Sequence, residues 1–128
     1  MSVAIFQIGD GCKWVPDGNG GYDGWGVAIG GQMWRSDGAG GFRGFGYGIL
    51  RQHWQSDGRG GFNGYGAGIQ GAMWRCDKRG ALNGFGGDIQ GKIWLPDGNG
   101  GFNGFGPGNR GNMWRLLKDG SYAGYVRY

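Results

Sequence analysis

A tryptophan recurs every 20 residues along this chain without a single slip. The series consists of Trp14, Trp34, Trp54, Trp74, Trp94 and Trp114. Glycine keeps the same period from Gly20 and from Gly24, and an aspartate follows each tryptophan by three residues from Asp17 onward, until Leu117 replaces it. A fixed period of this length is typical of tandem-repeat proteins, in which each unit buries its apolar face against its neighbours.

Each unit carries the residues of two short strands and two turns. The consensus is W-x-x-D-G-x-G-G-F-x-G-F-G-x-x-I-x-G-x-M. Asp-Gly-x-Gly-Gly favours a tight turn, because the Asp side chain bonds nearby backbone N–H groups and Gly accepts positive φ. Gln70-Gly71 and Gln90-Gly91 indicate the second turn. The segments between the turns, such as 61–69 and 72–76, are predicted strands, and 36 glycines argue against helix.

The sequence therefore predicts one all-β domain over residues 1–128, built from six tandem two-stranded repeats. The units span approximately 12–31, 32–51, 52–71, 72–91, 92–111 and 112–128, after a leading strand at 1–11. Two arrangements fit a unit of this length, a β-hairpin stack and a β-solenoid. A third closes the array by pairing the N-terminal strand with residues 125–128. We expect the aromatic rings to stack over glycine backbone of the next unit as ladders.

In length, turns and glycine–aromatic spacing the unit resembles the hairpin repeats of the MORN and choline-binding families. It lacks the Gly-Trp plus Tyr-Tyr signature of choline-binding repeats and the Tyr-x-Gly-x-Trp start of a MORN unit. The resemblance therefore implies two-stranded units and transfers no ligand.

Side chains suited to catalysis are scarce. Glutamate and threonine are absent, and the single histidine, His53, takes the repeat position of Met33 and Met73, which indicates a structural role. Each Asp turn offers one carboxylate, whereas calcium needs six to eight oxygen ligands. We therefore expect no enzyme, with no catalytic residues, no metal site and no cofactor.

Cysteines and the N-terminus bear on the cellular compartment. Cys12 and Cys76 occupy different repeat positions, which favours two isolated buried thiols over the alternative of one disulfide. The N-terminus lacks a basic segment followed by a long apolar one, and no apolar run approaches a membrane span. We expect synthesis in the cytosol without a signal peptide, with release by lysis or incorporation into a virion or other particle.

Arginine follows the tryptophan in every second unit, which gives a super-period of 40 residues. A flat aromatic ring beside a forked donor suits a sugar ring or an anionic glycan. The predicted ligand-binding residues are Trp34, Arg35, Asp37, Trp74, Arg75, Asp77, Trp114 and Arg115.

These features predict a non-catalytic, lectin-like module that binds surface glycans multivalently. The alternative is a structural protein of a virion or particle, such as a decoration, tail or fibre-tip component, that self-associates. The net charge of +4 is scattered among acidic residues and does not favour nucleic acid as a partner.

Overall fold

A computed structural model describes residues 3–127 of the chain. It is a closed barrel of twelve short antiparallel strands, which confirms the all-β, two-stranded repeat prediction. The strands are β1 Lys13–Pro16, β2 Tyr22–Trp25, β3 Met33–Ser36, β4 Phe42–Phe45, β5 His53–Ser56, β6 Phe62–Tyr65, β7 Met73–Cys76, β8 Leu82–Phe85, β9 Ile93–Pro96, β10 Phe102–Phe105, β11 Met113–Leu116 and β12 Tyr122–Tyr125. Two short 3-10 helices lie at Val3–Ile5 and Gly87–Ile89.

Each repeat is one hairpin, turned at its aspartate. In the first unit, Asp17 Oδ1 accepts hydrogen bonds from the N–H groups of Asn19 and Gly21, at 2.7 and 2.9 Å. The other end of the hairpin leads to the next unit through a longer loop. In the third unit this loop begins at Gly66, so the strand predicted over 61–69 ends earlier, at Tyr65. We call the two ends of the barrel the turn end and the loop end.

The ring closes between the first and last units. β1 pairs with β12, with Lys13 opposite Ala123 and Trp14 opposite Tyr122. Closure is one of the arrangements that the sequence leaves open, but not by the predicted pairing with residues 125–128. The predicted leading strand at 1–11 is wrong within the described residues 3–11, which form a 3-10 helix followed by a turn. The first repeat already supplies a strand with a free edge, so the leading segment is not needed for pairing. Tyr128 lies outside the described residues.

The tryptophans point into the barrel, and each lies over a glycine of its own hairpin. Trp14 and Gly24 are cross-strand partners, and a Cβ atom added to Gly24 would come within 2.8 Å of the Trp14 ring. The same partnership recurs from Trp34 with Gly44 to Trp114 with Gly124. The glycine is therefore in the same unit, whereas the sequence suggested the next one. All six tryptophans of the 20-residue series are at most 3% exposed.

The barrel interior is filled in layers that run from the turn end towards the loop end. Residues Pro16, Ser36, Ser56, Cys76, Pro96 and Leu116 form the rim, because they share the inward face of their strands with the tryptophans. Below the rim lies a second layer, Tyr22, Phe42, Phe62, Leu82, Phe102 and Tyr122, all of it buried. The tryptophan layer follows.

The leading segment enters the barrel as a plug. The Phe6 ring stacks on Trp34, with 4.9 Å between the centroids, and meets the rings of Trp14 and Phe42 edge-on. The Trp14 indole N–H donates to the Gln7 carbonyl at 3.1 Å. The Phe6 ring packs on the side of the first two units, and residues 4–8 also line a pocket together with Trp74 and Trp94.

One aromatic series does not belong to the core. Trp25, Phe45, Tyr65, Phe85, Phe105 and Tyr125 point outward from the even-numbered strands. Their exposed fractions are 62% for Trp25 and 41–43% for the other five. The ladder prediction is therefore correct for the tryptophans and the second layer and wrong for this series, because strand alternation places it on the opposite face.

Both cysteines are free thiols, but the prediction that both are buried is wrong for Cys76. Cys12 is buried, whereas Cys76 is exposed because it ends its strand at the rim. No helix among residues 3–127 is long and apolar enough to cross a membrane.

The tryptophan–glycine contact predicts a large effect of one added methyl group. We expect Gly24→Ala to lower the free energy of unfolding by about 2 kcal/mol, because the Cβ would overlap both the Trp14 ring and the Ile29 carbonyl. Urea denaturation measures this difference. Gly58→Asn is the control, because Gly58 has open space around it and Asn tolerates positive φ, so its change should stay within about 0.5 kcal/mol. Equal effects of the two substitutions would contradict the contact.

Candidate functional site

The predicted ligand residues are split between the two faces of the sheet. Trp34, Trp74 and Trp114 lie inside the barrel and are at most 3% exposed, whereas the arginines that follow them point outward. Adjacent residues of a strand face opposite sides, so these tryptophans do not stack on the neighbouring arginines. The tryptophans are enclosed, so a glycan outside the barrel has no access to them.

The arginines of the 40-residue super-period connect consecutive units. Arg75 donates to the Asp57 carboxylate at 3.2 Å, to the Asn63 amide oxygen at 2.7 Å and to the carbonyls of Phe62 and Trp74. Arg115 makes the corresponding bonds to Asp97 and Asn103, and Arg35 bonds Asp17 and Asp23. Each guanidinium is thus engaged across the seam between two units. The arginine in every second unit is therefore explained by three seams, each bridged by one arginine that bonds the aspartate of the preceding unit.

The predicted aspartates are also engaged. Asp37 accepts the N–H groups of Ala39 and Gly41, both at 2.8 Å, and its other oxygen lies 2.8 Å from His53 Nε2. Asp77 accepts the backbone N–H groups of Arg79 and Ala81 in its own turn, and its other oxygen forms an ion pair with the Arg79 guanidinium at 2.8 Å. The structure therefore pairs neither aspartate with the arginine predicted beside it, Arg35 or Arg75.

The turn geometry shifts the acidity of these carboxyl groups. For Asp57, burial alone would raise the pKa, but the N–H donors of Arg59 and Gly61 and the charge of Arg75 outweigh it and hold the pKa below its usual value. The same balance lowers the pKa of Asp17, whose side chain is only 8% exposed, and that of Asp37, which has the hydrogen bond with His53 in place of an arginine. These groups stabilise the fold in their charged form.

Two surface grooves lie at equivalent places on the outside of the barrel, at seams between units. The first groove is lined by Arg43, Gly44, Phe45, Leu50, Arg51, Gln52 and His53, and has a volume of about 270 Å³. The second groove is lined by Asn103, Gly104, Phe105, Arg110, Gly111, Met113, Tyr125, Val126 and Arg127, and has a volume of about 600 Å³. Six positions of the first groove recur in the second exactly 60 residues later. Three of six units separate them, so the grooves lie on opposite sides of the ring.

Arginines in the grooves differ from those of the seams. Arg43, Arg51 and Arg110 are exposed, and no side-chain hydrogen bond to another residue of the described chain engages their guanidinium groups. Each lies beside an outward ring, Phe45 in the first groove and Phe105 in the second. The sequence predicted an aromatic ring next to a free guanidinium group at the tryptophan–arginine pairs. The structure has this combination at Phe45 and Phe105, with the groove arginines.

Arg51 is held in a strained backbone conformation. Its φ is +70°, whereas the same loop position in four other units is glycine with φ between +84° and +86°. A left-handed conformation costs a non-glycine residue about 1–2 kcal/mol. Strain of this kind concentrates at functional sites. Sequence inspection missed Arg51, although its place in a glycine series is visible once the units are aligned.

No cluster of three or more His, Cys or Asp side chains that would hold a metal ion occurs between residues 3 and 127. Comparison of the chain with protein-family models, with curated proteins and with solved structures found no match.

The strain at Arg51 predicts a stabilising substitution. Arg51→Gly should raise the free energy of unfolding by about 0.5–1 kcal/mol, because the relief of the left-handed strain exceeds the entropy cost of glycine. Thermal or urea denaturation tests this expectation. Arg43→Gly is the matched control, because it removes an arginine of the same groove from a regular strand and should destabilise the protein. A loss of stability in Arg51→Gly would show that the residue is not strained.

The lowered pKa values predict acid sensitivity with a definite sign. The folded-state pKa values of Asp17, Asp37 and Asp57 lie below their unfolded-state values, so the stability that they contribute is present above about pH 4 and is lost as the pH falls through the lowered values. Urea denaturation across this range should show the decline. Asp57→Asn should be less stable than the wild type at neutral pH, and the gap should narrow in acid. A gap that does not depend on pH would contradict this assignment.

Proposed function

We propose that the protein is a non-catalytic carbohydrate-binding module, with one glycan site in each of the two outer grooves. The observation that carries the proposal is the recurrence of the same groove, 60 residues apart, with an exposed ring beside an unengaged arginine. A sugar presents an apolar C–H face that packs on a ring, and its hydroxyl or acidic groups accept hydrogen bonds from a guanidinium.

Several features of the grooves favour anionic glycans. The first groove has two arginines, Arg43 and Arg51, and the second has Arg110 and Arg127. At the first groove the Asp37 carboxylate lies 2.8 Å from His53 Nε2, and at the second groove the Asp10 carboxylate accepts the Val126 N–H at 3.2 Å. Each groove thus sets two arginines against a carboxylate that is already hydrogen-bonded, so an acidic sugar meets an excess of positive charge in each groove.

The position of the two grooves has a further consequence for how the protein would bind. Sites on opposite sides of one barrel cannot both contact one flat surface, but they can hold two separate polysaccharide chains. Each shallow site would bind weakly, and the pair would gain strength on a polymer through multivalency. The proposed action is therefore cross-linking of glycan chains.

A second candidate function, a structural component of a particle, is favoured by one different observation. Large apolar side chains stand exposed on the loops of the first two units: Val27 at 85%, Tyr47 at 95% and Leu50 at 58%. These loops are adjacent, since the Gln32 side chain donates to the Tyr47 carbonyl at 3.0 Å. A one-sided apolar patch of this kind is typical of a contact surface between proteins.

The glycan proposal predicts separable effects of the two grooves. On a glycan array the wild type should bind acidic polysaccharides, and should precipitate them in solution. Phe45→Ala or Phe105→Ala should weaken binding by about tenfold each and should abolish precipitation, because one remaining site cannot cross-link. The double variant should not bind. Phe85→Ala is the matched control, since it removes an outward ring of the same series that is 41% exposed and lies outside both grooves.

Absence of signal on every array would overturn the proposal, as would equal losses in Phe85→Ala and Phe45→Ala. The particle component is tested separately by light scattering. If it is correct, the protein forms concentration-dependent oligomers that Tyr47→Ser disperses, without effect on glycan binding.

A further inference from the structure

One position interrupts the second layer of the barrel interior. Five of the six units place an aromatic ring there, and the fourth unit places Leu82. Ring contacts connect Tyr122 with Tyr22, Tyr22 with Phe42 and Phe42 with Phe62, with centroids 6.1–6.4 Å apart. Within the described chain no such contact continues from Phe62 through Phe102 to Tyr122. The layer is therefore closed over half of the ring and open over the other half.

A cavity of about 440 Å³ occupies the open half. Leu82, Phe102 and Tyr122 line it from the second layer, and Cys76 and Pro96 line it at the rim, together with glycine backbone of the turns. The plug does not reach this space, because the Phe6 ring contacts Tyr22 and Phe42 on the opposite side of the barrel. A cavity of this size, with apolar and aromatic walls, lies within the range of small-molecule sites.

The polar groups around the cavity favour a neutral occupant. Burial, together with the charge of Asp97, raises the pKa of Tyr122, which lines the cavity. The Tyr122 phenol is therefore a neutral hydrogen-bonding group, and the surroundings that raise its pKa also disfavour a negatively charged guest. No Arg or Lys side chain lines the cavity.

We propose that this rim cavity is a second binding site, distinct from the outer grooves, for a small, uncharged, planar aromatic molecule whose ring completes the layer beside Leu82. The molecule enters at the turn end between the rim residues Cys76 and Pro96. Its ring packs against Phe102, and a polar substituent reaches the Tyr122 hydroxyl.

Indole is a suitable probe, and the Cys76 thiol reports on its binding. Cys76 is exposed and lines the cavity, whereas Cys12 is buried, so iodoacetamide should alkylate Cys76 selectively. Indole should slow this alkylation in the wild type. Leu82→Phe should abolish the protection and weaken indole binding in calorimetry by about tenfold or more, because the added ring fills the site. Phe is the residue that three other units carry at this position, so the variant preserves the repeat.

Two further measurements keep the outcome decisive. Cys76→Leu, which copies Leu116 of the last unit, should narrow the rim and weaken indole binding in calorimetry. Indole-3-acetate, which carries a negative charge, should bind more weakly than indole.

The double variant Phe45→Ala, Phe105→Ala should bind indole as the wild type does, and Leu82→Phe should keep all glycan binding. These two results would separate the rim cavity from the proposed glycan sites. Equal protection of Cys76 by indole in the wild type and Leu82→Phe, or no binding up to the solubility limit of indole, would overturn the proposal.

Discussion

The packing of a tryptophan ring over a cross-strand glycine is the contact on which the rest of this structure depends. A 12-stranded ring of four-residue strands has room inside for large side chains, and six indoles form one complete layer of its interior. Each indole needs the space that a side chain on the partner strand would take, so Trp14 requires Gly24, and the second, third and sixth units repeat this close contact. Because the ring has no free strand edge, all of the backbone pairing capacity of the strands is used internally. A partner therefore cannot bind by adding a strand to a sheet edge, which directs attention to the outer face and to the open rim.

Arginines whose side chains are hydrogen-bonded within the protein have a structural role, whereas those without such bonds among the described residues are candidates for ligand binding. Arg75 is surrounded by acceptors from two units and acts as a connection between hairpins. Arg51 has the same side chain, but it lies in a groove, lacks such acceptors among the described residues and sits in a conformation that favours glycine. The difference arises from position: a residue in mid-strand faces the aspartate of the preceding turn, whereas a loop residue near the seam faces solvent.

Much of the fold could be predicted from the spacing of a few residue types. The tryptophan series gives the unit, the Asp-Gly turns give its hairpin, and the glycine density removes helix, all through local rules. The candidate site was harder. Trp34 and Arg35 are neighbours in sequence and were predicted to bind one ligand together. Strand alternation places their side chains on opposite faces of the sheet. Conversely, Phe45 and Arg51 are six residues apart, and only the loop between β4 and β5 brings them into one groove.

The sequence by itself determined six tandem two-stranded units of an all-β domain, because turn chemistry and strand alternation act within a single unit. Tertiary structure alone decided that the array closes, that the leading segment enters the barrel as a plug and that the interior stays open beside Leu82. Closure depends on the rotation between neighbouring hairpins, added up over six units, which no residue specifies alone. The same rotation decides that grooves three units apart lie back to back, and hence which side chains are free to bind.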